Sequence, residues 1–164
     1  MTVARKSSVQ PADIEAIYRD RFPVFVLSIT AVLNDGQEAL DVVQEGFSRA
    51  LRRRRTFRGD GSLEGWIWRI VLNVAADRGR ALGKGLVPAD DGCGHHDPEA
   101  PDEAIRSHLR ALPERQRLAV FLRYYADLSY DQIAEVLEVR SGTVAAALNA
   151  AHTTLRNDLE GVAM

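Results

Sequence analysis

Hydrophobic residues recur along most of the chain with the spacing of an α-helix, and no run shows the alternation typical of a β-strand. Proline at position 23 is expected to open a helix, because it lacks the N–H that a first turn leaves unpaired. Asn34, Asp35 and Gly36 then form a turn. In the third helix, one apolar face carries Leu40, Val43, Phe47, Ala50 and Leu51. The pattern predicts helices over residues 13–21, 23–33, 37–54 and 63–80.

The end of the chain predicts a helix, a short turn and a second helix. Ser129, followed by Gln132, has the capping-box pattern that starts a helix, and a tight turn follows at residues 138–140. A helix–turn–helix lays its second helix in the DNA major groove, although small helical bundles share the spacing. The last helix begins near Ser141, and its expected core stripe is Val144, Leu148, Ala151, Leu155 and Leu159.

A stretch of different composition separates these helical parts. Residues 85–105 contain six acidic residues and no Lys or Arg, and Gly and Pro are frequent. Such composition predicts a flexible acidic linker. We therefore predict an all-α fold of two small helical domains, with a flexible N-terminus at 1–12, a first domain at 13–82, a linker at 83–103 and a second domain at 104–164.

The composition of the chain limits the classes of protein to which it can belong. The 164 residues are 46% hydrophobic with a net charge of −2, so a packed core is expected and global charge does not indicate a nucleic-acid partner. The single cysteine, Cys93, excludes a disulfide framework, and no signal peptide or membrane span is recognised, so a cytoplasmic protein is expected. Cys93, His95 and His96 lack a fourth ligand, so neither a metal nor a cofactor is predicted. No paired carboxylates, nucleophile triad or phosphate loop indicates an enzyme.

The first domain mixes basic and aromatic residues in one segment. Arginine occupies positions 52–55 and 58, and Trp66 and Trp68 follow a glycine-containing loop. Arginines neutralise phosphates, and exposed aromatic rings stack on unpaired bases. The alternative is a solvated helix end with at least one tryptophan in the core.

Three segments in this order resemble the signature segments of bacterial sigma-70 family sigma factors, in the compact layout of the extracytoplasmic-function group. They are DVVQEGFSRAL (41–51), WIWRIVLN (66–73) and LPERQRLAVFLRYYADLSYDQIAEVLEVRSGTV (112–144). The resemblance implies a non-catalytic specificity subunit of RNA polymerase with a region 2-like and a region 4-like domain. Implied partners are core polymerase, through the β′ clamp helices and the β flap, and promoter DNA. An anti-sigma factor or activator is a further candidate.

The resemblance also assigns roles in the first domain. The third helix would dock on the clamp helices, through residues expected to face solvent: Asp41, Val42, Gln44, Glu45 and Arg49. The loop before the fourth helix would hold a flipped base of the −10 element, and Trp66 would be largely packed. Leu72 departs from the family, which often has a basic residue there. The −10 residues would be Arg54, Arg58, Gly59, Asp60, Gly61, Ser62, Trp66, Arg69, Asn73, Arg78 and Arg80.

The last helix would read the −35 element, and here the chain departs from the family. Residues 141–155 include no charged residue, where family members carry several Lys or Arg. Glu138 stands where Gly is frequent, so a left-handed backbone would cost roughly 1 kcal/mol. Arg140 replaces a common Ser, so the helix cap is expected to shift to Ser141. The −35 residues would be Arg123, Arg140, Ser141, Thr143, Ala145, Ala146, Asn149, His152 and Arg156.

Two interpretations of this uncharged helix remain open. In the first, the chain is a working sigma factor whose specificity depends on the −10 contacts and on polymerase. In the second, it is a sigma-like decoy or regulator that binds polymerase or an anti-sigma factor without reading a −35 element. The small-residue face would then be a protein-binding site, or simply an exposed surface made of a good helix former.

Overall fold

A computed structural model describes residues 8–81 and 103–162 of the chain, which are helical with connecting turns. The all-α prediction is confirmed for these residues. The predicted linker at 83–103 lies outside them except for its last residue, where a helix begins. The helices are α1 (Pro11–Leu33), α2 (Gly36–Arg53), α3 (Leu63–Ala81), α4 (Glu103–Ala111), α5 (Glu114–Tyr124), α6 (Tyr130–Leu137) and α7 (Ser141–Val162), with a 3₁₀ turn at Arg54–Thr56 after α2.

Helices α1, α2 and α3 pack on one another around an aromatic centre. Trp68 of α3 is fully buried and stacks on Phe25 of α1, with ring centroids 3.7 Å apart. Phe47 of α2 meets the same Phe25 ring edge-on at 5.0 Å. The expectation that one tryptophan belongs to the core is therefore confirmed for Trp68.

Proline 23 does not separate two helices, so that prediction is wrong. Helix α1 runs without a break from Pro11 to Leu33 with Pro23 inside it. Proline in a helix interior costs about 3 kcal/mol, because it removes a hydrogen bond and crowds the preceding turn. Burial of Ile14 before the proline and of Phe25 and Ile29 after it, in one core, offsets that cost. The predicted turn at Asn34 is confirmed, since Asn34 adopts a left-handed backbone with φ of 54°.

The buried face of α2 is wider than the predicted stripe. Val42 was expected to face solvent, and it is fully buried. Helix α2 lies between α1 and α3, so two neighbours cover it and burial extends to Ala39, Val42 and Gly46. Leu51, assigned to the stripe, is 38% exposed, because it lies in the last turn of the helix.

Helices α5, α6 and α7 form the core of the second half, with Leu122, Ile133 and Leu148 buried between them. The predicted capping box of α6 is present: the Ser129 hydroxyl accepts from the Gln132 N–H at 3.2 Å, and the Gln132 side chain accepts from the Ser129 N–H at 2.8 Å. Leu159 is 51% exposed, so its assignment to the core stripe is wrong. With 22 residues, α7 is about 33 Å long, about twice the length of α5. Its last turns therefore extend beyond the helices that cover its buried face.

One arginine lies in the core of this second half. Arg117 of α5 is 1% exposed, and its Nη1 donates to the Arg110 carbonyl at 2.8 Å. Its Nε and Nη2 have no hydrogen-bond partner among the described residues. Burial lowers the pKa of Arg117, and burial raises the pKa of the neighbouring Glu114.

The two halves contact each other directly. Helix α6 packs on α3, and α5 packs on α1. Arg21 of α1 donates from Nη2 to the Ala126 carbonyl at 2.6 Å and from Nε to Glu64 at 3.1 Å. The predicted −10 and −35 surfaces therefore belong to one packed arrangement of helices.

Candidate nucleic-acid interface

A polar groove runs between α2 and α3. Arg49 donates from Nε to Glu45 at 2.7 Å, and its Nη1 lies 3.9 Å from Asp77. The Arg49 hydrogen bond and the charges of Arg49 and Arg52 lower the pKa of Glu45, against a smaller desolvation effect. The groove is lined by Asp41, Gln44, Glu45, Ser48, Arg49, Val74, Asp77, Arg78 and Ala81.

This groove brings together four of the five residues predicted to dock on polymerase, and Val42 is the exception. Ser48 and Asp77 were missed. Ser48 follows Gln44 by one helical turn, so the spacing of the polar face could have found it. Asp77 lies on another helix, and only the packing of α3 on α2 brings it here.

Arg78 also belongs to this groove and not to the predicted −10 surface. It follows Arg69 by nine residues, about two and a half helical turns, so the two side chains leave α3 on opposite sides. Its Nη1 lies 3.1 Å from Glu38 of α2. The structure thus places Arg78 apart from Arg69, and the predicted contact of Arg78 with DNA stays a prediction.

The loop between the 3₁₀ turn and α3 has the backbone freedom expected of a base pocket. Gly59 and Gly61 have φ of 77° and 88°, a region that residues with a Cβ rarely adopt. Arg58 and Asp60 are exposed. The Ser62 hydroxyl accepts from the Gly65 N–H at 2.9 Å and thus caps α3, so its oxygen is already engaged.

One face of α3 carries the remaining predicted −10 residues. Arg69, Asn73 and Arg80 are exposed and share that face, since they are spaced by about one and two further helical turns. Arg80 also donates a hydrogen bond from Nη2 to Asp77, so this end of the face adjoins the groove. Trp66 is half-buried, with its ring 5.5 Å from Phe57, so it packs less completely than Trp68. Arg54 lies before the loop, where its Nη1 donates to the Leu51 carbonyl at 2.8 Å and closes the end of α2.

The turn between α6 and α7 has the predicted strain. Glu138 is left-handed with φ of 56°, and the Val139 N–H donates to the Ala134 carbonyl at 2.9 Å. The predicted cap at Ser141 is wrong, because Ser141 is the first residue of α7 and its hydroxyl donates to Asp131. The Arg140 carbonyl accepts from the Thr143 and Val144 N–H groups, so Arg140 is the residue that precedes the helix.

The outer face of α7 is small and neutral. Ala146, Asn149 and Ala150 are exposed, whereas Thr143 and Ala145 are half-buried. Arg140 and Arg156 are exposed at either end of the 141–155 segment.

The two other predicted −35 residues are held by neighbours. His152 Nε2 lies 2.8 Å from the Tyr124 hydroxyl. Arg123 lies on α5 and donates to the Leu128 carbonyl at 3.3 Å, with Asp127 3.7 Å away. The structure therefore groups the predicted residues of α7 on one surface and ties Arg123 to the α5–α6 connection.

Arg69 connects the two predicted DNA surfaces. Its Nη2 lies 3.0 Å from the Glu138 carboxylate, and the ion pair is partly exposed on both sides. Glu135 of α6 lies against the glycine loop, where a Cβ added to Gly61 would meet its Oε2 at 2.5 Å. Sequence reasoning missed Glu135 and Arg21, and no local pattern could have found them, because their partners come from the other half of the chain.

Within residues 8–81 and 103–162, no group of three or more His, Cys, Asp or Glu side chains is placed to hold a metal ion. The candidate trio Cys93, His95 and His96 lies outside those residues. None of the described helices combines the length and hydropathy that crossing a membrane requires.

Comparison with known families matches both halves of the chain. Residues 25–84 match the family Sigma-70 region 2, and residues 102–155 match the family Sigma-70, region 4. The RNA polymerase sigma-H factor of Pseudomonas aeruginosa is 36% identical, with 71% of this chain and 70% of the relative covered. The ECF RNA polymerase sigma-E factor of Haemophilus influenzae is 32% identical, with 73% and 74% covered.

Two solved structures share the fold. The sigma factor RpoE from Bartonella quintana, in complex with the anti-sigma factor NepR, has a TM-score of 0.74 at 20% identity and covers 90% of this chain and 97% of its own. CnrH in complex with the cytosolic domain of CnrY has a TM-score of 0.69 at 19% identity, with 94% and 92% covered.

Proposed function

The chain belongs to the extracytoplasmic-function group of the sigma-70 family of RNA polymerase sigma factors, and we propose that its two halves divide promoter recognition between them. In this proposal residues 13–82 bind core polymerase and the −10 element, residues 104–164 bind the −35 element and the β flap, and residues 83–103 link them. The chain contributes specificity, and the chemistry of RNA synthesis stays with core polymerase.

The observation that carries the proposal is that α3 borders two separate polar surfaces. One side forms the groove with α2, where Gln44, Glu45 and Arg49 are accessible. The other side carries Arg69 and Asn73, next to the glycine loop. A protein that must hold polymerase and single-stranded DNA at once needs two such surfaces on one rigid element.

We assign the groove to the β′ clamp helices of polymerase. Asp41, Gln44, Glu45 and Arg49 offer both charges and an amide, and the Glu45–Arg49 pair is already oriented by its hydrogen bond. Buried Val42 supports the shape of α2 and takes no part in the contact.

We assign the loop and the opposite side of α3 to the melted −10 element. Left-handed glycines let a base approach the backbone closely, and Arg58 and Asp60 supply groups for its edge. Arg69 and Arg80 would contact phosphates.

We assign the exposed face of α7 to the −35 element, with weak binding of its own. Asn149 can read adenine, and alanine methyl groups can touch thymine methyl groups. The lack of charge in residues 141–155 favours a second function in which this face binds a protein and reads no DNA. An anti-sigma factor is a proposed partner as well, supported by the Bartonella structure solved with one.

A transcription assay tests these assignments. Purified full-length protein is mixed with bacterial core polymerase and a promoter library in which the −35 and −10 regions are randomised separately. Initiation that depends on both regions is the expected result. Dependence on the −10 region alone would make α7 a protein-binding helix, and core binding without initiation would leave the decoy interpretation.

A matched pair of variants tests the groove. Arg49→Ala should weaken core binding about threefold to tenfold, because it removes a charge that Glu45 and Asp77 hold in place. Arg19→Ala is the control, since Arg19 forms a similar i,i+4 pair with Glu15 on the exposed side of α1. Equal core binding by both variants would contradict the groove assignment.

A further inference from the structure

The two halves meet on the surface assigned to melted DNA. Glu138, in the turn before α7, accepts hydrogen bonds from Arg69 Nη2 at 3.0 Å and from Arg69 Nε at 3.3 Å. Both nitrogens of the guanidinium edge are thus engaged by one carboxylate. A DNA phosphate would use the same donors, since a phosphate oxygen can accept the two N–H groups that Glu138 Oε1 accepts here.

A second carboxylate lies over the glycine loop. Glu135 stands one helical turn before Glu138, and its Oε2 lies where a Cβ on Gly61 would come within 2.5 Å. The Gly61 backbone, with φ of 88°, is the part of the loop that a base would approach. Glu135 therefore fills the space above the loop, while Glu138 binds the guanidinium group of Arg69.

Arg21 holds the halves together at a separate point. Its contacts with the Ala126 carbonyl and with Glu64 are better shielded, since the Arg21 and Glu64 side chains are 27% and 26% exposed. The Ala126 carbonyl belongs to the connection between α5 and α6, so this contact fixes the approach of α6 to α3. The carboxylates of α6 are thereby presented to the DNA surface.

We propose that Glu135 and Glu138 form an acidic latch that occupies part of the −10 surface, at Arg69 and the glycine loop, in the free protein and competes with DNA there. The proposal rests on the proposed function of that surface. The Arg69 and Glu138 side chains are 47% and 67% exposed, so each pair is weak and DNA can displace it. Glu138 has a left-handed backbone in this position. Strained residues of this kind are frequent at functional switches.

The first experiment measures closure in the full-length chain. Spin labels are attached to R53C and N157C, both exposed positions, in a Cys93→Ser background, and their distance distribution is recorded by pulsed electron resonance. The double variant E135Q/E138Q keeps side-chain size and removes both charges. The open population should rise about threefold to tenfold. An unchanged distribution would overturn the latch.

A matched control separates the latch from overall charge. D20N/E160Q also removes two carboxylates, at exposed positions of α1 and α7 outside the contact. Binding of a fluorescent single-stranded DNA of mixed sequence is then measured at low salt. E135Q/E138Q should bind about threefold to tenfold more tightly than the control pair. Equal gains in both pairs, or no binding by E135Q/E138Q, would overturn the competition with DNA.

Transcription with core polymerase separates this proposal from the function on which it rests. The parent chain and E135Q/E138Q should both initiate, because polymerase and DNA together open the latch in the parent. If neither initiates while the spin-label distances still differ, the proposed function fails and the latch stands as a contact between the halves.

Discussion

At the scale of single residues, Glu138 combines a strained backbone with an ion pair made by its side chain. Its left-handed backbone costs roughly 1 kcal/mol relative to glycine, and its carboxylate pairs with Arg69. The resemblance to the sigma factors, in which Gly is frequent at this position, predicted the strain. The pairing could not be predicted, because Arg69 lies 69 residues away along the chain.

Glu138→Gly should raise the free energy of unfolding by about 0.5 kcal/mol, since relief of the left-handed backbone exceeds the loss of an exposed ion pair. Urea denaturation of the full-length chain measures this change. Glu138→Gln, which keeps the strain, is the control and should shift stability by less than about 0.5 kcal/mol. A loss of stability in Glu138→Gly would mean that the ion pair outweighs the strain.

The buried Arg117 gives a second prediction about stability at the scale of single residues. Replacing a buried charge with an apolar side chain of similar volume is often neutral, whereas truncation leaves a cavity. Arg117→Met should therefore change the free energy of unfolding by less than about 1 kcal/mol, and Arg117→Ala should lower it by about 2–4 kcal/mol. Equal losses in thermal or urea denaturation would show that the hydrogen bond to the Arg110 carbonyl dominates.

At the scale of elements, helices with clear local signals were predictable. The capping box of α6 and the turn at Asn34 follow from short-range sequence signals and are confirmed. The errors at Pro23, Val42 and Leu159 share one cause. Each depends on which helices cover the residue, and periodicity within a single helix does not contain that information.

The contact between α2 and α3 gives an element-scale prediction. A Cβ on Gly46 would lie 2.5 Å from Val71 Cγ2 and 3.1 Å from Val71 Cα, so the two helices would have to separate. Gly46→Ala should lower the free energy of unfolding by about 1–3 kcal/mol. Gly142→Ala, with nothing within 4 Å in the first turn of α7, should instead gain about 0.5 kcal/mol. Urea denaturation compares the two, and equal effects would contradict the close approach of α2 and α3.

Helix α7 gives a second element-scale prediction. If its outer face lies along DNA, Ala146→Lys adds one phosphate contact and should steepen the salt dependence of promoter binding by about 0.9. Asn157→Lys adds the same charge farther along α7 and should have a smaller effect. Binding by the polymerase complex is measured across a salt series, and equal slopes would favour the protein-binding role of this face.

At the scale of the whole molecule, polar contacts between the halves lie on the proposed −10 surface. The Arg69–Glu138 pair is exposed and is screened by salt, because the Debye length falls from about 14 Å to about 4 Å between roughly 0.05 M and 0.5 M. The radius of gyration from small-angle X-ray scattering should therefore increase with salt. The same series on E135Q/E138Q should be flatter, and a salt-independent parent chain would contradict this prediction.

The separation of the two polar surfaces that border α3 has a consequence for the order of assembly. The groove that includes Arg49 is open, while Arg69 on the other surface is paired with Glu138. If the proposed assignments and the latch hold, polymerase is captured first, and DNA only after the halves part. Such an order of binding would prevent the large excess of genomic DNA from sequestering the free subunit. The search for promoters would then begin only after the subunit has joined core polymerase.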